Sequence, residues 1–272
     1  MFMVGNKIIA VDLGGTNTRV GLVKGNRVLK YIKEKTPDNK KDLMKLLSGL
    51  IRGLISKDVK GIGVASPGPL KDGIIKNPPN LPVRNFNIKK FLENEFKVRV
   101  AVANDADCVA LSEARFGFKK KNFVILTLGT GIGGGIVING ELYTGQGYGG
   151  ELGHMVLNDK NFEKYWQDNR QRSKKCFGKT LLVKDLLEMR DKQAKEIVDD
   201  TVVLLGKGIA SLINIFDPEI VVLMGGIRET GEKFLRKVRA KAKEYVLIPH
   251  FPKIKWTKLE HPGILGASLL IK

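Results

Sequence analysis

The sequence predicts an α/β fold built from two related halves. Three observations carry the prediction. A hairpin of strand, glycine-threonine turn and strand occurs twice, in "KIIAVDLGGTNTRVGLVKGNRVLKYI" (7–32) and "NFVILTLGTGIGGGIVINGELYTG" (122–145). Around these hairpins, β-branched runs alternate with apolar residues at helical spacing. No linker is long or simple enough to separate independent modules, so two joined lobes are expected. The repeat distance of about 115 residues lies far beyond any solenoid period.

The elements follow in order. After the first hairpin, Leu43, Leu47, Leu50, Ile51 and Leu54 recur at helical spacing and predict a helix over roughly 40–56. "VKGIGVAS" (59–66) reads as a strand that runs into the Pro/Gly loop "PGPLKDG". "NIKKFLENEF" (87–96) predicts a short helix and "VRVAVAN" (98–104) a strand. A helix from Asp105 to Phe116, closed by Gly117, leads into the second hairpin. Ile197, Leu205, Ile209, Leu212, Ile213 and Phe216 mark a long buried helix that stops at Asp217-Pro218. "EIVVLMGG" (219–226) is a strand feeding a third glycine turn, with a helix over roughly 229–246 behind it.

Composition excludes several classes. The 272 residues, 43% hydrophobic, suffice for two ordinary cores. No run of eighteen apolar residues exists, so no membrane span is expected. The start, "MFMVGNKIIAVDLGG", lacks the basic stretch and cleavage site of a signal peptide. Two cysteines, Cys108 and Cys176, fit a reducing compartment better than a disulfide framework. A cytoplasmic protein is the expectation. The net charge of +19 suggests nucleic acid, with "FKKKN" (118–122) and "RKVRAKAK" (236–243) as the best support. The lysines are spread over every segment and few aromatics interleave with them, so no specific nucleic-acid partner is expected. The charge excess has no functional reading.

The stretch "TLGTGIGGG" (127–135) holds five glycines in nine positions, a density that lets backbone amides approach a ligand closely. Gly129, Gly131 and Gly134 satisfy a dinucleotide spacing, but that fingerprint requires a helix to follow. A β-branched run and an Asn-Gly turn follow instead, so the dinucleotide reading fails. Two glycine hairpins can instead grip a polyphosphate, although two unrelated tight hairpins would look similar. Asp12 ends the first strand, Asn104-Asp105 ends another, and His154 lies in "GYGGELGH". Each has a plainer reading: a turn acid for Asp12, a helix cap for Asp105, a hydrogen-bonded structural residue for His154. Together they describe phosphate donors, a metal-binding carboxylate and a base for an attacking hydroxyl, the parts phosphoryl transfer needs.

These motifs resemble the ROK family of sugar kinases and repressors, which has the actin-like ATPase (ribonuclease H-like) fold. The resemblance rests on Leu128 to His154 and, in order, on "DLGGTNTR", "SPGPL", "NPPNLP", "NDAD", "INIFDPEIVVLMGG" and "GILGAS". It implies an N-terminal lobe over 1–107 joined by a returning C-terminal helix at 260–272, and a second lobe over 108–259. It further implies that Asp105 is the general base toward a sugar hydroxyl. Asn104, Glu151, His154 and Glu163, with Gly68 and Asn80, would contact the sugar. Gly14, Gly15, Thr16 and Asn17, with Thr130, Gly131 and Gly133, would serve the ATP phosphates. Gly225 and Gly226 would border the adenosine, and Asp12 would hold Mg²⁺ through water. Position 17, often lysine in bacterial members, is Asn17. A homodimer is expected.

One departure from the family stands out. Many members bind zinc with the histidine at this place and three nearby cysteines, yet "MVLNDKNFEKYWQDN" after His154 has none. Four ligands are the norm for structural zinc, so no zinc is expected. Glu163, or an aromatic of "FEKYW", is the expected replacement that orients His154. The resemblance leaves two classes: an ATP-dependent hexose kinase acting at the 6-hydroxyl, or a sugar-sensing regulator. With Asp12 only eleven residues after the start and Asp105 present, the kinase is favoured. Glucose is favoured over an N-acetylhexosamine.

Overall fold

The computed structural model describes residues 6–78 and 80–272. The opening "MFMVG" and Pro79 of "NPPNLP" lie outside the described residues. The chain forms two units. The first runs to Lys119 and includes Gly145–Tyr148 and Leu259–Lys272; the second comprises Lys120–Thr144 and Gly149–Lys258.

In the first unit, apolar alternation gives Lys7–Leu13 (β1), Asn17–Lys24 (β2) and Arg27–Lys35 (β3). Helix Lys40–Arg52 (α1) starts where the Asn39 side chain accepts the Asp42 N–H, and it buries Leu43, Leu47 and Ile51. Val59–Ser66 (β4) follows. Three two-residue strands come next: Leu70–Lys71 (β5), Ile74–Ile75 (β6) and Phe86–Asn87 (β7). Helix Ile88–Phe96 (α2), strand Arg99–Asn104 (β8) and helix Asp105–Arg115 (α3) complete this stretch. The main sheet has the order β3-β2-β1-β4-β8, antiparallel at the hairpins and parallel from β1 to β8.

In the second unit, Phe123–Leu128 (β9), Ile132–Ile138 (β10) and Glu141–Leu142 (β11) form the glycine hairpin. A small hairpin of Val156–Leu157 (β12) and Lys160–Asn161 (β13) leads into helix Phe162–Phe177 (α4). Helix Val183–Glu188 (α5), the 25-residue helix Lys192–Phe216 (α6), strand Ile220–Met224 (β14), helix Gly231–Lys243 (α7) and strand Lys253–Trp256 (β15) follow. The main sheet has the order β11-β10-β9-β14-β15, with β9, β14 and β15 parallel. Its arrangement repeats that of the first unit strand for strand. The twofold hairpin in the sequence is therefore a repeat of topology.

The chain returns to the first unit as helix Pro262–Ser268 (α8), which packs on β1, β4 and α3. Contact there is backbone to backbone: a Cβ on Gly63 would lie 1.8 Å from the Ala267 carbonyl oxygen. On Gly266 it would lie 1.7 Å from that of Cys108. The division after Lys119, against an expected one after 107, keeps α3 whole with the helix it packs on. Helices α4 and α5, strand β15 and the two-residue strands β5, β6, β7, β12 and β13 were not anticipated. α4 buries only Phe162, Trp166 and Ser173, too thin a stripe to read from the sequence, although Asn161 and Gly178 mark its ends. The short α5 and β15 likewise give little periodic signal.

Candidate active site

The first unit gathers polar groups where its parallel strands end. Asp12 faces Ala65 across β1 and β4, and Ser66 faces Asn104 across β4 and β8. Open α/β sheets place ligands at this edge. Asn104, rather than Asp105, caps the following helix: its Oδ1 accepts the N–H groups of Ala106 at 2.9 Å and Asp107 at 3.3 Å. The cap reading for Asp105 is thereby corrected. Asp105 is the first helical residue, half-buried, and its carboxylate also accepts the Ala106 N–H at 2.9 Å.

Asp12 is partly buried, and burial raises its carboxyl above the usual value of 3.8, with Arg19 pulling the other way. Arg19 Nη1 donates to Asp12 Oδ2 at 2.9 Å. This arginine stands in "DLGGTNTR" but received no role from the sequence, because cross-strand pairing with Asp12 shows only once the register is known. Behind it, Tyr31 stacks on His261 with ring centroids 4.2 Å apart.

The turn at Gly14, Gly15, Thr16 and Asn17 is closed by Gly14 N–H donating to the Asn17 carbonyl at 3.1 Å. Thr36 also donates its hydroxyl to the Gly14 carbonyl at 2.6 Å. Asn80 packs directly on this turn: a Cβ on Gly15 would sit 2.5 Å from Asn80 Cβ. Gly68 has φ 85° and leaves room for Pro78, whose Cα lies 2.8 Å from where a Cβ would stand. "SPGPL" and the described part of "NPPNLP" thus meet.

In the second unit, the turn Gly129–Gly131 has Thr130 exposed at its tip. Gly129 N–H donates to the Gly131 carbonyl at 2.9 Å, and Trp166 Nε1–H donates to the Gly129 carbonyl at 3.0 Å. Glu163 lies against the same turn. Its Oε2 accepts the Ile132 N–H at 2.8 Å, and its Oε1 accepts from Gln167 Nε2 at 2.9 Å. Gly131 does not have a positive φ. It is glycine for space, since a Cβ would stand 2.2 Å from Glu163 Oε2. Gly133 pairs with Thr127 inside the sheet. Gly225, at φ 123°, lets the turn after β14 lie flush on β9, where a Cβ would stand 2.0 Å from the Leu128 carbonyl oxygen. Nothing crowds the exposed Gly226.

His154 ends a short turn after Glu151, and both are exposed. Its orienting partner is neither Glu163 nor an aromatic, correcting that expectation. Asn161 Nδ2 lies 3.3 Å from His154 Nδ1. The signal for it was present as the Asn that precedes a helix, the usual capping residue. Among the described residues no group of three or more His, Cys, Asp or Glu is placed to share a metal. Here the side-chain amide of Asn161 lies against His154 Nδ1. These residues do not fit the family's thiol-and-histidine zinc site.

The model of the ROK family matches residues 8–176 and 158–272. The chain belongs to the ROK family. A glucokinase of Thermotoga maritima is 31% identical over 310 aligned residues, covering 98% of this chain and 97% of that one. A xylose repressor of Caldicellulosiruptor bescii is 27% identical, covering 97% of this chain and 77% of that one. The crystal structure of a ROK family glucokinase from Streptomyces griseus, in complex with glucose and AMPPNP, superimposes with a TM-score of 0.85. It is 25% identical and covers 97% of this chain and 99% of that one. This ROK protein has the actin-like ATPase fold, with the paired mixed sheets described above. No helix among its described residues is long and apolar enough to cross a membrane.

Proposed function

We propose that this ROK protein is an ATP-dependent hexose kinase, transferring the γ-phosphoryl group to the 6-hydroxyl of glucose or a related hexose. The observation that carries the reading is the Asn104-Asp105 pair at the end of β8. Asn104 spends its side-chain oxygen on the helix cap, which sets the Asp105 carboxylate at the sheet edge where ligands bind. Asp105 takes the proton of the attacking hydroxyl. Asn104, Gly68 and Asn80, and likewise Glu151, His154 and Glu163, are the residues assigned to sugar contacts in this reading. Glu163 has two duties, since it also holds the Ile132 N–H beneath the Gly131 turn.

Gly14, Gly15, Thr16 and Asn17, with Thr130, Gly131 and Gly133, serve the phosphates; Gly225 and Gly226 border the adenosine. Mg²⁺ enters as part of the nucleotide substrate, and Asp12 fits it. A carboxylate whose charge is disfavoured by burial calls for a cation, and Arg19 fills that need in this structure. When bound, the metal would neutralise charge on the phosphates.

The test is ADP release across glucose, mannose, fructose, glucosamine and their N-acetyl forms. Turnover of glucose or mannose above the N-acetyl sugars is expected. Preferential turnover of an N-acetylhexosamine would overturn the substrate assignment. Sugar binding by calorimetry without turnover of any of them would favour the regulator that the repressor relative represents.

A further inference from the structure

We infer that Asn161 fixes the tautomer of His154, so that the neutral ring keeps its proton on Nε2 and presents it as a donor. The argument begins with the amide. Asn161 Oδ1 accepts the Lys164 N–H at 2.7 Å as the cap of α4. That bond determines which end of the amide is nitrogen, and the nitrogen is the end facing His154 Nδ1. An amide NH₂ can only donate. Nδ1 must therefore accept, and a neutral imidazole with an acceptor at Nδ1 carries its hydrogen at Nε2.

The local fold is built to hold this pair. Val156 pairs with Asn161 and Leu157 with Lys160, around a turn in which Asn158 takes φ 62°. Phe162 N–H donates to the Met155 carbonyl at 2.8 Å, which returns Asn161 to the side of His154. Asp159 accepts the Tyr165 hydroxyl, and Asp168 binds Lys160 and Lys164 at 3.0 Å each. The six-residue hairpin is thus fastened to the first turns of α4. It supplies by an amide what the thiol loop of zinc-bearing relatives supplies by a metal: a fixed ring direction. The consequence for sugar recognition rests on the kinase reading. An Nε2–H donor selects a hydroxyl oxygen acting as acceptor.

The experiment uses the full-length protein and reads the ring directly. Long-range ¹H–¹⁵N spectra distinguish protonated from unprotonated imidazole nitrogens, and the chain has only three histidines to assign. They are recorded above the ordinary histidine range of about 6.5. The wild type should show His154 protonated at Nε2. Asn161→Asp keeps an oxygen cap for α4 but replaces the donor by an acceptor, so the ring should switch to Nδ1–H. Its KM for the hexose should rise about tenfold, as for one misdirected hydrogen bond, with kcat changed less. Asn161→Ser keeps the cap but does not reach the ring, and should give a mixture of tautomers at an unchanged melting temperature. A wild-type ring protonated at Nδ1, or an Asn161→Asp ring still protonated at Nε2, would overturn the inference. A reversed tautomer with KM unchanged would overturn the donor role toward sugar. Failure of the kinase reading is separate: it would appear as absent turnover with the tautomers as expected.

Discussion

Asp105 and Asp12 sit at the same sheet edge under different electrostatic conditions. Asp105 opens a helix and accepts a backbone N–H, while Asp12 is partly buried and faces one arginine. Asp105→Asn should preserve sugar affinity and lower kcat by ~10²–10⁴, the worth of a positioned general base. Near wild-type turnover in a folded variant would refute that role. For Asp12 the direction of the pH effect follows from burial. Its native carboxyl titrates above the usual 3.8, so the folded chain holds that proton more tightly than the unfolded one. The contribution favours folding below 3.8 and is lost as pH rises through the native value. Asp12→Asn removes it. Urea titrations should show wild type losing stability relative to Asp12→Asn as pH climbs from about 3 toward neutrality. A constant difference across that range would show that burial does not shift the group.

At the scale of elements, the glycine hairpin of the second unit is supported by α4. The Trp166 indole and the Glu163 carboxylate both bond to the turn, and Gly131 is small because that carboxylate needs its space. Gly131→Ala should displace Glu163, release the Ile132 N–H and raise the KM for ATP. Glu163→Ala makes room, so the added alanine should do less further harm in that background. A double-mutant cycle on stability should return a coupling of about 1 kcal/mol or more, as for residues in contact. Strict additivity would separate the turn from α4.

At the scale of the molecule, each unit has its own sheet and core, and the chain's end completes the first. The α8 backbone rests on Gly63 with no room for a side chain. Gly63→Val should therefore destabilise the first unit by about 3 kcal/mol or more, at the upper end of overpacking. Trp166 and Trp256, the only tryptophans, both lie in the second unit. Their fluorescence should follow the second unit, while far-UV circular dichroism follows both. In Gly63→Val an early dichroic transition should precede an unshifted fluorescence transition. Coincident, equally shifted transitions would mean that the two units unfold as one.

Much was legible in the chain because strong local signals agree with the fold. Leu43, Leu47 and Ile51 face the core at helical spacing, and "VKGIGVAS" is a strand over its full length. Asp217-Pro218 ends α6 where expected, with Asp217 at φ 43° and a proline that cannot continue the helix. The two glycine hairpins, their order and the family all follow from residues that must approach backbone closely or turn sharply. The tertiary structure alone decided what those residues touch. Strand register set Arg19 against Asp12, and the β12–β13 turn brought Asn161 to His154. The packing of α4 put Glu163 under Gly131. Periodicity records which face of an element is buried, but it carries no information about which polar atom meets another across a turn or between elements. Hydrogen-bond partners are fixed within tenths of an ångström by packing, and only the folded chain defines distances on that scale.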